Sequence, residues 1–64
     1  MRTRVFRSLM ADQFGDLRAE MIAHDHVLAD LGGRTPDQAL AAGYEPMEIY
    51  RAVCEAYEVP PERR

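Results

Sequence analysis

Glycine and proline cut this 64-residue chain into four short pieces. Gly15, the pair Gly32-Gly33 and Gly43 stand at three boundaries, Pro36 and Pro46 open two of the pieces, and Pro60-Pro61 closes the last. A glycine accepts the left-handed backbone that ends a helix. A proline fits the first helical turn, where its missing N–H costs nothing, and is excluded from the interior. Within each piece apolar residues recur three and four apart, and no stretch shows the period-two alternation of a half-buried strand. The chain is therefore expected to be all-α. It reads as one compact domain over 1–64, a bundle of three to four short helices at about 4–14, 17–31, 36–42 and 46–58, with a short extended tail at 59–64.

The first helix has Thr3 as its N-cap and Gly15 as its stop. Val5, Phe6, Leu9, Met10 and Phe14 share one side of it, opposite Arg4, Arg7, Ser8, Ala11 and Asp12, which predicts one buried face. In the second, Asp16 is the expected cap and Gly32-Gly33 the end. Leu17, Met21, His24, Leu28 and Leu31 lie in one arc there, with Val27 at its edge, while Ile22, His26 and Ala29 point to the opposite side. A helix with two apolar sides either touches two neighbours or leaves one for a partner, and the Ile22–His26–Ala29 side is the one assigned to a partner. Thr35-Pro36-Asp37-Gln38 is a capping box with proline at the first helical position, and Gly43 is the C-terminal left-handed residue of that short helix. Glu45-Pro46 repeats the start signal. Ile49, Tyr50, Val53, Cys54 and Tyr57 then form a stripe opposite Glu48, Arg51, Glu55 and Glu58.

Charge is distributed unevenly along the chain. It has no lysine, and eight arginines against eleven acids give a net charge of −3. Arg2, Arg4 and Arg7 make one end basic and Arg63-Arg64 the other, so the body between them is acidic. Either end suits an acidic partner or a phosphate group, and Val59-Pro60-Pro61 is expected to carry the last arginines away from the bundle in extended form. No run of about 18 apolar residues spans a membrane, and no apolar stretch follows the first arginines as in a secretory signal. The single Cys54 closes no intrachain disulfide and fits a reducing cytoplasm. So small a core gains stability from association, so a protein partner or a second copy of the chain fits this size.

Three constellations bear on function. Ala39, Gly43 and Ile49 have the small–turn–apolar spacing of a helix-turn-helix made from 36–42 and 46–58, which would make the chain a DNA-binding regulator. The second of those helices opens with Pro46, Met47 and Glu48, and it carries Glu48, Glu55 and Glu58 against Arg51 alone, a poor surface for phosphates. Nucleic acid is accordingly the weaker partner class. His24 and His26 project about 200° apart on a regular helix and cannot grip one metal ion together. On that reading His24 fills the apolar stripe and His26 pairs with Asp30 in solvent. Cys54 lies in mid-helix beside Glu55, with no cation to activate it. No catalytic residues, cofactor site or metal site are assigned, and the chain is read as non-enzymatic.

Asp25-His26-Val27-Leu28, Leu31-Gly32-Gly33-Arg34-Thr35, Ala39-Leu40 with Gly43, Arg51-Ala52-Val53-Cys54-Glu55, and Val59-Pro60 with Arg63-Arg64 resemble the short actinobacterial domain-of-unknown-function family 3046. The likeness runs from about Arg4 to Arg64 and is most specific from Asp25 to Thr35. Tyr50 stands where the family carries a tryptophan in its last helix. The resemblance implies a cytoplasmic protein encoded near the recombinase RecA and its regulator RecX, hence a connection with DNA recombination and repair. It supplies no activity and no binding residues. The sequence reading is an interaction or regulatory module whose candidate contacts are Arg2, Arg4, Arg7, Ile22, His26, Arg63 and Arg64.

Overall fold

A computed structural model describes residues 2–64, with side chains from residue 3 onward. Among these residues the fold is all-α: α1 Arg2–Phe14, α2 Asp16–Asp25, α3 Pro36–Ala41 and α4 Pro46–Ala56, with 3₁₀ turns at Ala29–Leu31 and Pro61–Arg63. Among the described residues the one extended pairing is an isolated antiparallel bridge between Leu28 and Arg34. α1 packs on α2 and α4, α3 lies against both α2 and α4, and the Ala29–Leu31 turn rests on α4.

α1 already includes Arg2 and Thr3, so Thr3 does not cap it. Phe6 and Met10 are buried as expected, with Leu9 and Phe14 packed at the edge of the core, but Val5 is exposed. Gly15 alone connects α1 to α2. Its amide donates to the carbonyl of Ala11, and its own carbonyl accepts from the amide of Ala19. It does so at φ 89 and ψ 157, a backbone region open essentially to glycine. Gly15, and not Asp16, is thus the N-cap of α2, and Asp16 sits in the first turn, where the helix dipole favours its charge.

α2 stops at Asp25, six residues before the expected end at Leu31. On one continuous helix Leu28 and Leu31 would share the face of Leu17 and Met21, opposite Ile22. Breaking the helix at His26, which adopts φ −86 and ψ 113, lets Ile22, Leu28 and Leu31 all enter the core. The β-branched Val27 suits the extended backbone that follows. Leu28 then closes a small loop: its amide donates to the carbonyl of Arg34, and its carbonyl accepts from the amides of Leu31 and Gly33.

α3 starts as its sequence predicts. Thr35 Oγ1 accepts from the Gln38 amide at 3.1 Å and Gln38 Oε1 accepts from the Thr35 amide at 2.9 Å. It ends in a Schellman turn in which the Tyr44 amide donates to the carbonyl of Ala39 and the Gly43 amide to that of Leu40. Gly43, at φ 97, is the left-handed residue. Ala39 and Ile49, on either side of this turn, are fully buried.

α4 carries the expected stripe: Ile49, Tyr50, Val53 and Cys54 are all buried. It ends at Ala56, two residues earlier than expected, in a second Schellman turn from the Val59 amide to the Cys54 carbonyl and from the Glu58 amide to that of Glu55. Here the left-handed position is filled by Glu58, at φ 58. The turn tucks Val59 into the core. The tail does not leave the bundle: Pro61–Arg63 coils into a 3₁₀ turn, and Arg64 Nε donates back to the Val59 carbonyl at 2.9 Å.

Candidate functional site

α2 presents to solvent the face that periodicity assigns to the core. Leu17 is 82% exposed, Met21 63% exposed, and His24 also lies outside, while Ala19, Ile22 and Ala23 are buried. The cause is the one-residue elbow at Gly15. Gly15 is the single residue between α1 and α2, so its backbone sets which side of α2 faces α1. The side of α2 that meets α1 carries Ala19 and Ala23, which line one shallow groove with Phe6, Met10 and Ala11 of α1. Apolar bulk is thereby moved to the outer side.

Beside that outer side, the ends of three helices meet. Tyr57, the residue that caps the C-terminus of α4, has the Phe14 ring edge-on at 5.5 Å and the His26 ring at 5.1 Å. His26 Nδ1 and the Tyr57 hydroxyl share a 2.7 Å hydrogen bond. The Arg18 guanidinium lies 5.7 Å from the Tyr57 ring centre, a cation–π contact worth roughly 0.5–1 kcal/mol at an exposed position. Arg18, Met21, Ile22, Asp25, His26 and Tyr57 line an open groove of about 310 Å³. Its floor is apolar and aromatic, and its rim carries a cation near one end of α2 and a carboxylate near the other.

The candidate contacts read from the sequence divide accordingly. Ile22 and His26 reach this groove, but Ile22 does so as a buried wall residue and not as part of an outward face. His26 has left the helix for Tyr57 and makes no pair with Asp30, and His24 is on the surface with its Nδ1 2.9 Å from Asp37 Oδ2. Arg7 lies 3.7 Å from Glu20 on the wet side of α1 and α2. Arg64 is turned toward Glu55 at 4.0 Å, and Arg4 and Arg63 are exposed. The side chain of Arg2 lies outside the described residues. Leu17, Arg18, Met21 and Tyr57 are the members the sequence reading did not assign to a site. The signal was the second apolar arc of α2, read with the wrong sign.

Chemistry elsewhere is sparse. Among the described residues no three His, Cys, Asp or Glu side chains are grouped so as to hold a metal ion. Cys54 is a buried free thiol. Burial first, and then its neighbour Cys54, push the Tyr50 hydroxyl above its ordinary value of 10, so it stays neutral and donates to Gln13 Oε1 at 3.3 Å. No described helix is long and apolar enough to cross a membrane. One family matches residues 1–62 of the chain and is described as a protein of unknown function (DUF3046). No curated protein and no solved structure matches it.

Proposed function

The chain belongs to the DUF3046 family, and we propose that within it this protein is a non-catalytic interaction module that docks another protein chain on the outer side of α2. One observation carries the reading: Leu17 and Met21 stand in water beside the Tyr57 groove while the same helix buries two alanines. Fully burying a leucine or methionine stabilises by roughly 1.5–3 kcal/mol, and the monomer forgoes this at two neighbouring positions. Arginine, methionine and aromatic residues are also the types enriched where proteins meet, and Arg18, Met21 and Tyr57 supply one of each. A buried free thiol at Cys54 suits a reducing cytoplasm. The gene neighbourhood implied by the family directs the search for a partner to recombination proteins.

A second reading, a helix-turn-helix regulator, is favoured by the tight Ala39–Gly43–Ile49 hairpin. Its recognition helix would be α4, whose outer side exposes Glu48 and Glu55 with Arg51, and Glu58 follows in the turn beyond it. These carboxylates would face phosphates, which opposes binding.

The test is affinity capture from the native host with the unaltered chain and with Leu17→Glu, alongside titration of duplex DNA at low salt. A protein held by the first bait and lost with the second, with no DNA binding, is the expected result. Identical captures with both baits, or salt-dependent DNA binding abolished by Arg51→Glu, would overturn it.

A further inference from the structure

Resting on the reading just given, we propose that the occupant of the α2 face is a second copy of this chain, related by a two-fold axis that passes close to Met21. The face carries both halves of its own complement. Leu17, 82% exposed, is a knob on the first turn of α2, and the groove of about 310 Å³ beside Met21 is a hole toward the last turn of the same helix. An isologous contact uses one patch twice, so each knob meets the other copy's hole. An antiparallel pairing of α2 with its copy about Met21 sets the two methionines against each other. Leu17 and Asp25 lie four residues to either side of Met21. Each Leu17 therefore comes over the Asp25–His26 end of the other groove, where Tyr57 forms the floor.

Charge follows the same symmetry. Arg18 stands near the N-terminal end of α2 and Asp25 at its C-terminal end, and among the described residues neither has an ion-pair partner. Antiparallel packing brings Arg18 of each copy within a turn of Asp25 of the other, two opposite-charge contacts per dimer. A parallel packing would put like against like. The two helix dipoles also oppose favourably in the antiparallel arrangement.

Size sets the strength. A stable complex buries about 800 Å² per partner, close to a fifth of this chain's 4276 Å² surface, and one outer face of a ten-residue helix supplies less. The dimer is therefore weak, exchanging, and dependent on concentration.

Sedimentation velocity of the full chain between about 10 μM and 1 mM, at low and moderate salt, tests this. The expected result is a rising dimer fraction that Leu17→Glu weakens more than tenfold. Arg18→Asp alone weakens it, and Arg18→Asp combined with Asp25→Arg restores it. Because Leu17 and Arg18 are exposed, the variants keep the helical circular dichroism of the dilute monomer; Leu17→Glu keeps its melting temperature, and the Arg18→Asp variants lower it only by the lost contact with the Tyr57 ring. A chain monomeric throughout the range, or a dimer indifferent to Leu17→Glu, overturns the proposal. If the chain is monomeric and yet captures a different host protein in a Leu17-dependent way, self-pairing fails while the docking role of α2 stands.

Discussion

α4 buries six of its eleven residues, and α2 buries three of its ten. The two helices are nearly the same length, so the difference lies in what surrounds them. α4 is packed by α1, α3 and the Ala29–Leu31 turn, all on the side that carries its apolar stripe. α2 lies across α1 and touches α3, leaving one long side in water. In a chain this small one helix is the core and another is a lid, and large apolar residues have different meanings on each. Ile49 and Val53 hold the fold together, whereas Leu17 and Met21 contribute little to the isolated molecule and remain available to an outside surface.

The sharpest break of this contrast is a pair of truncations read by chemical denaturation. Ile49→Ala in α4 removes a fully buried side chain and is expected to cost ~2–5 kcal/mol, enough to threaten folding in a domain of this size. Met21→Ala on α2 should stay within ~0.5 kcal/mol. Equal losses at the two positions would mean that the outer side of α2 is packed. Next in size is the elbow. Gly15→Ala meets no atom within 4 Å, yet forces a Cβ onto a residue at φ 89, and is expected to destabilise by ~1–3 kcal/mol. A neutral outcome would remove the Gly15 backbone as the reason α2 faces the way it does. The smallest effect is a gain. Glu58 occupies the left-handed position that Gly43 fills after α3, so Glu58→Gly should raise stability by ~1 kcal/mol, seen as a higher denaturation midpoint.

The legibility of each element followed from how many constraints met at it. α3 was readable to within a residue because Thr35, Pro36, Gln38 and Gly43 each act locally, through hydrogen bonds and backbone sterics that need no tertiary partner. The α4 stripe was readable because only one of its sides is apolar. α2 was not, because it has apolar residues on two sides and periodicity alone cannot say which side a neighbour takes. What decides it is the backbone at Gly15, the single residue between α1 and α2, which turns the side with Ala19 and Ala23 toward α1 and leaves Leu17 and Met21 in water. The same ambiguity hid the break at His26, since Leu28 and Leu31 continue the periodic pattern of Leu17 and Met21. Periodicity therefore places Leu17 and Met21 in the core and Ile22 on the outward side, the reverse of what the structure shows. Tyr57 was assigned to the core stripe, where it belongs by spacing; its hydroxyl reaches His26 only because the intervening chain turns back.

The order in which the helices touch has a consequence for how the molecule forms. α1 meets α2, α2 meets α3, and α3 meets α4, each pair adjacent along the chain; the α1–α4 contact, the packing of the Ala29–Leu31 turn on α4 and the aromatic cluster at Tyr57 join more distant stretches. Little loop entropy has to be surrendered before neighbours find one another, which places such a topology among rapid folders. Closing the last helix upon the first spans the longest loop and so carries the largest share of that entropy, and the same closure sets Phe14 against the Tyr57 ring that lines the groove beside α2.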